Sequence, residues 1–205
     1  MFFMTKKVIF DALSENCIYN IREVVSQEIV QAIKENKEII ILCVGTDRST
    51  GDSLGPIVGD KLKFLVRDNV FIYGNLENPV HAKNISEVKD LILNTHSNPY
   101  VIAIDASLRD LQDLGKVIIE SKPLNPGLAL NKKLPSVGNL SITGVVNISG
   151  SLEFMVLQNT RLYIVMKLAE TISSGLYHAI LKTIGGRKTS SLNKEDLLLD
   201  ISETL

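Results

Sequence analysis

The sequence predicts an α/β fold, a three-layer α/β/α sandwich around a mostly parallel sheet of about five strands. Three observations carry this. The runs IIILCV at 39–44 and YVIAI at 100–104 are apolar at every position, the pattern of strands covered on both faces. Segments with helical spacing alternate with the strands. Loops rich in Gly, Ser and Asp follow the strands, as at 45–55.

Each element has its own reason. Ile18, Ile21, Val25, Ile29 and Ala32 share one face of a helix over Cys17 to Lys34. The run from Glu38 to Val44, closed by Gly45, is the first predicted strand. Pro56 suits the first turn of a helix, where its missing N–H is not needed, and Val58, Leu62 and Leu65 give that helix its stripe. Val70 to Tyr73 is the second strand. Asn84 and Glu87 resemble a capping box, which starts a third helix running to Asn94. Tyr100 to Asp105 is the third strand and Lys116 to Ser121 the fourth. Leu140 to Ile148 is the fifth, shortened by Gly144. A long helix covers about Leu152 to Ile184, with a break expected at Gly175. Its stripe is Leu162, Val165, Met166, Ala169 and Ile172. One domain is expected over 1–205, with its core at about 11–184. The first ten residues and the tail 185–205 read as appendages, the tail with an amphipathic turn or two through Leu197, Leu198 and Ile201.

Composition narrows the function classes. The chain has 205 residues, 45% hydrophobic and 22% charged, the balance of a globular protein. Lys+Arg total 22 against 23 Asp+Glu, a net charge of -1, which argues against direct nucleic-acid binding. No apolar run is long enough for a membrane span, and the start does not have the order of a signal peptide. A cytoplasmic protein is expected. Cys17 and Cys43 form no CxxC and are expected as reduced core thiols, with Cys43 inert inside a strand. The basic pairs Lys132-Lys133 and Arg187-Lys188 read as solvated surface.

In a parallel α/β sheet, chemistry gathers at the C-terminal ends of the strands. The loops to inspect are therefore 45–56, 74–84, 105–115 and 122–139. The first, GTDRSTGDSLGP, is neither a Walker A loop nor a GxGxxG loop. Asp52 stands where a bound phosphate would have to sit, so nucleotide binding is disfavoured. Taken alone, Asp52 reads as an N-cap and Asp105 as a turn residue after its strand. Together they suggest more. If the first and third strands are neighbours, their ends bring Asp52 and Asp105 to one site, where two carboxylates can share a water as base and acid. The positive end of the following helix is expected to lower the pKa of Asp52, and partial burial to raise that of Asp105. Ser107 has no His–Asp set beside it and makes a poor nucleophile. His96 and His178 read as surface residues.

The GTDRSTGDSLGP loop resembles, without a gap, the Gly-Asn…Thr-Pro-Asp-Ala-Leu-Gly-Pro loop of the bacterial spore germination proteases. The segment VIAIDASL at 101–108 resembles their Val-Ile-Ala-Ile-Asp-Ala-Leu. The PG at 126–127 and VGN at 137–139 also fit. With PVHA at 80–83 and LPSVGNLSITGVVN at 134–147, the chain is closer still to the YyaC-type sporulation proteins, short relatives of those proteases. The resemblance covers about 38–184.

This resemblance implies the fold shared with the hydrogenase maturation proteases. It implies that Asp52 and Asp105 are catalytic, acting as an aspartic-type peptidase on a protein or peptide, with small acid-soluble spore proteins as the family's substrates. It departs at Gly51, where the proteases have proline, and at Arg48 and Ser49. The maturation proteases hold nickel with two acids and a histidine. Asp52 and Asp105 match the acids, but no histidine follows the fourth strand. His81, after the second strand, could approach as a third ligand for zinc or nickel, or serve as a capping or packing residue. Nothing in the spacing demands a metal, and no cofactor is required by the sequence. A noncatalytic sporulation protein binding a protein or small ligand in the same cleft is the alternative, and a homo-oligomer is compatible with either.

Overall fold

The computed structural model describes residues 7–65, 67, 69–126, 135–150 and 152–185. The chain runs β1 (Lys7–Asp11), α1 (Cys17–Lys34), β2 (Glu38–Cys43), α2 (Leu54–Leu62), β3 (Val70–Tyr73), α3 (Ile85–Thr95), β4 (Pro99–Arg109), β5 (Lys116–Glu120), β6 (Leu140–Ile148), α4 (Glu153–Gln158) and α5 (Leu162–Thr183). The strands form one six-stranded sheet in the order β1-β5-β6-β4-β2-β3. The four from β6 to β3 are parallel, with Ile41 beside Ile102 and Asp105 beside Thr143. The other two differ from the all-parallel expectation: β5 runs antiparallel to β6, and β1 antiparallel to β5.

The apolar strands are buried on both faces as their composition requires. On one face, Ile39, Ile41, Ile102, Ile104 and Ile142 pack under α1, α2 and α5. On the other, Ile40, Leu42 and Ala103 meet α3 through Ile85 and Ile92. The architecture is thus the expected α/β/α sandwich.

Several expectations need correcting. The sheet has six strands, because residues 7–11 form an edge strand on β5 and are no appendage. Strand β4 continues past Asp105 to Arg109, since its backbone stays paired with β6 across a bulge between Ser107 and Leu108. Gly144 does not shorten β6. A Cβ there would lie 2.5 Å from Leu54 Cδ2, so the bare backbone lets α2 seat against the sheet. The final helix is divided at 159–161 and is continuous at Gly175, which α1 approaches closely through Ile21. Its buried stripe is Val165, Leu168, Ala169, Ile172 and Leu176, leaving Leu162 and Met166 exposed. The tail, the Lys132-Lys133 pair and Arg187-Lys188 lie outside the described residues.

Candidate active site

Strands β2 and β4 are parallel neighbours whose outgoing connections diverge. The chain leaves β2 for β3 on one side, and leaves β4 for β5 and β6 on the other. That divergence opens a crevice at their carboxyl ends, the usual ligand position of an open α/β sheet. One edge of the crevice carries Asp52 and the other Asp105.

The loop after β2 doubles back to present Asp52. Its carbonyl accepts the Thr46 N–H at 3.0 Å. Gly45, at φ 141°, permits this return, for a Cβ there would fall 2.0 Å from the same carbonyl oxygen. Asp52 lies in a single 3-10 turn, Gly51–Ser53, that feeds directly into α2. Its side chain makes no capping bond, contrary to the N-cap reading. The Ser53 hydroxyl donates to the Thr50 carbonyl at 2.6 Å. Burial pushes the Asp52 carboxyl up to about 6, with the nearby His81 pulling weakly the other way. The expected lowering by the helix end is reversed, because desolvation of the carboxylate outweighs the helix dipole.

Asp105 projects from within β4 and is 9% exposed. Its Oδ1 accepts the N–H of Ala106 at 2.8 Å, a bond that favours the anion. Burial and the Asp52 charge act against it and hold the carboxyl well above the usual range. Both carboxyls are thus raised, Asp52 by burial and Asp105 by burial and the Asp52 charge together. The raised value of Asp105 agrees with the expected effect of burial, and that of Asp52 does not.

A cavity of about 390 Å³ opens beside the pair. It extends down the α3-side face of β4, β6 and β5, past Ser107, Thr143, Ser141 and Glu120. Leu157 of α4 and the segment 122–125 complete its walls. Lys122 pairs with Glu120 at 3.0 Å. Of these lining residues, Thr143, Ser141, Glu120 and Leu157 were not singled out in the sequence. A signal existed in Leu140-Ser-Ile-Thr143, where polar residues alternate with apolar ones and so define one polar face. Loop 122–139 was expected at the active end. Residues 122–125 instead leave the opposite end of the sheet, because β5 is antiparallel to β6, and line the cavity.

His81 lines a different cavity, of about 490 Å³, with Tyr73, Asn75 and Asn78. Its N–H donates to Asn84 Oδ1 at 2.8 Å, while Asn84 Nδ2 donates to the Pro79 carbonyl at 3.0 Å. Asn84 thus organises the turn behind it and makes no side-chain cap to α3. His81 is close enough for its charge to act on Asp52. Even so, no group of three or more His, Cys, Asp or Glu side chains among the described residues gathers at ligating distances. Asp52, Asp105 and His81 do not form a zinc or nickel cradle in this structure.

The remaining candidates are structural. His96 is 3% exposed, not a surface residue. It lies between the Tyr73 hydroxyl, 2.9 Å from Nε2, and Glu38, 3.2 Å from Nδ1. His178 is exposed as expected. Cys17 and Cys43 are unpaired and buried, and burial raises both thiols, Cys17 to about 11. No helix among the described residues is long and apolar enough to cross a membrane.

The fold and site together define an open-sheet α/β protein with an aspartate pair at its switch point. Residues 10–175 match the family described as "Protein of unknown function (DUF1256)", and the chain belongs to that family. It is 49% identical over 140 residues to the uncharacterized protein YyaC of Bacillus subtilis (strain 168), covering 68% of each chain. The resemblance to YyaC-type proteins is thus borne out. Among solved structures, it is similar to the [NiFe] hydrogenase maturation protease HycI from Thermococcus kodakarensis KOD1. That likeness has a TM-score of 0.45 at 18% identity, over 71% of this chain and 93% of that one.

Proposed function

We propose that the protein is a peptidase in which Asp52 and Asp105 activate water against a peptide bond. The observation that carries this reading is the presence of two neighbouring carboxyls at one cavity, both raised by burial and Asp105 also by the Asp52 charge. Asp52, ionised, takes a proton from water as the oxygen attacks the scissile carbonyl carbon. Asp105, protonated, donates to the carbonyl oxygen and removes the charge that would otherwise develop there. Collapse of the tetrahedral diol returns a proton to Asp105, and Asp52 passes its own to the departing amine. Both carboxyls then stand as they began.

The resemblance to germination proteases supports a spore protein as substrate, small acid-soluble spore proteins first among them, in the cytoplasm of the developing spore. The test is to incubate such proteins with wild type, Asp52→Asn and Asp105→Asn. Cleavage by wild type that is lost in both folded variants supports the pair, and cleavage surviving in both refutes it.

A second reading is a noncatalytic protein that holds a ligand in the cavity. The apolar Leu124 and Leu157 beside the Lys122–Glu120 ion pair favour it, being the mixed lining of a binding pocket. Ligand retention by the two Asn variants, with no cleavage by wild type, would put this reading ahead.

A further inference from the structure

Asp105 is not the only charged residue on its face of β4. Side chains alternate between faces along a strand, so Asp105, Ser107 and Arg109 share one. The opposite set, Ile104, Ala106 and Leu108, packs into the core under α1 and α5. All three of the first set line the cavity beside the aspartates.

Register fixes the layout of that cavity along the strand axis. Glu120 pairs with Ser141 and Ser141 with Ala103, so the Glu120 level lies two residues before Asp105. Arg109 lies four residues after it. At about 3.3 Å per residue the floor from Ala103 to Arg109 spans about 20 Å, the length of about six residues of extended chain. The aspartate pair lies between, and a charged group stands at each end.

The two ends differ in what they offer a ligand. Lys122 at one end is already paired with Glu120 at 3.0 Å. Arg109 at the other is half-buried, and its guanidinium makes no hydrogen bond or ion pair among the described residues. Glu153 lines the same cavity without pairing to it. The charge of Arg109 reaches Asp113, but that carboxylate is held by Lys116 at 2.8 Å. A guanidinium is a planar fork of N–H donors that fits a carboxylate.

We infer that Arg109 is a specificity-determining residue: it receives a carboxylate of a polypeptide laid along β4, about four residues from the bond at the aspartate pair. The carboxylate belongs to an acidic side chain or to the end of the chain. The position of the bond rests on the peptidase reading, whereas the carboxylate subsite rests on the cavity alone. Selection by charge follows. Glutamine at that position forfeits the charge-assisted bond, and lysine meets a like charge.

The experiment separates binding from cleavage. The probes are pools of fluorescent decapeptides, randomised except for one Glu, Gln or Lys fixed at each position in turn. Each pool is made with amidated and with free C-termini. Anisotropy is read on Asp52→Asn protein, alone and combined with Arg109→Gln, Arg109→Lys or Arg109→Glu. A fixed Glu is expected to tighten Kd about tenfold over Gln at its best position, the scale of one charge-assisted hydrogen bond. Arg109→Gln should remove that preference, Arg109→Lys keep part of it, and Arg109→Glu turn it toward Lys. A preference that changes sign cannot come from misfolding. Glu preference in the amidated pools assigns the carboxylate to a side chain, and tighter binding confined to the free C-termini assigns it to the chain end. No binding of any pool, no gain from any carboxylate, or a gain that survives Arg109→Gln overturns the inference. Cleavage is read on the same pools with wild type. Carboxylate-selective binding with no cleavage counts against the peptidase reading and leaves the arginine subsite standing.

Discussion

The carbonyl of Asp52 is tied to the amide of Thr46, 3.0 Å away, so the loop closes on itself within nine residues of leaving β2. That bond pins the backbone of the aspartate to the start of its own loop. Asp105 is fixed by a different device, burial within a strand paired on both sides. Two rigid supports flank one crevice, the arrangement a water-activating pair requires.

Activity should follow a bell-shaped pH profile. Catalysis needs Asp52 ionised, so kcat/KM rises with pH through about 6. It needs Asp105 protonated, so the rate falls again once pH passes that residue's raised value. The two inflections belong to the pair as a unit. A profile flat between pH 5 and 9 would rule out this pair as acid and base.

The same groups make the protein less stable at neutral pH than its neutral variants. Both folded values lie above the unfolded ones, so the folded state holds protons more tightly. Their stabilising contribution is full below about pH 4 and is lost as pH rises through 6 and beyond. Asp52→Asn should therefore gain about 2–3 kcal/mol at pH 7, by the conversion of pKa shift to free energy. Asp105→Asn should also be stabilising, and both gains should vanish near pH 3. Urea titrations at the two pH values measure this, and a loss of stability at pH 7 in both variants contradicts it.

Gly55 sets how closely α2 approaches β2. A Cβ there would fall 2.0 Å from the Val44 carbonyl oxygen, backbone against backbone, with no side chain able to yield. Gly55→Ala should be destabilising by about 3 kcal/mol or more and should shift the Asp52 turn with it. Wild-type stability in a chemical melt would show that this contact is loose.

Removing His96 should harm the fold and spare the site. His96→Leu leaves Glu38 and Tyr73 without their shared partner and is expected to be destabilising by about 1–3 kcal/mol. Below its melting point the variant should cleave, or bind, as wild type does. A change in KM or kcat at matched folded fraction would assign His96 a role that its position does not suggest.

Much of the fold was legible because its strands are buried on both faces. Residues 39–44 and 100–104 could be nothing but central strands, and the helix Cys17–Lys34 follows directly from its stripe. Edge strand β1 was not legible. KVIFD alternates weakly, and its pairing depends on β5 more than 100 residues away. The pair Asp52 and Asp105 and the raised value of Asp105 could be read from the sequence, but the electrostatics of Asp52 could not. The charge of a helix end is local and visible in sequence, whereas desolvation depends on what the whole fold places overhead. Thr143 escaped notice for a related reason. A threonine in a strand is ordinary until register sets it beside Asp105.

The way α1 leans on α5 bears on how the chain is born. Ile21 presses on Gly175, Glu23 pairs with Lys182 at 2.6 Å, and the Thr171 hydroxyl donates to the Ala12 carbonyl at 3.3 Å. Residues made early in synthesis thus wait for residues 171–182 before their apolar face is covered. Until those residues emerge, the segments bearing Asp52 and Asp105 have no finished scaffold to hold them together. Whatever the pair does in the cell, it starts only once residues 171–182 have been made and seated on α1.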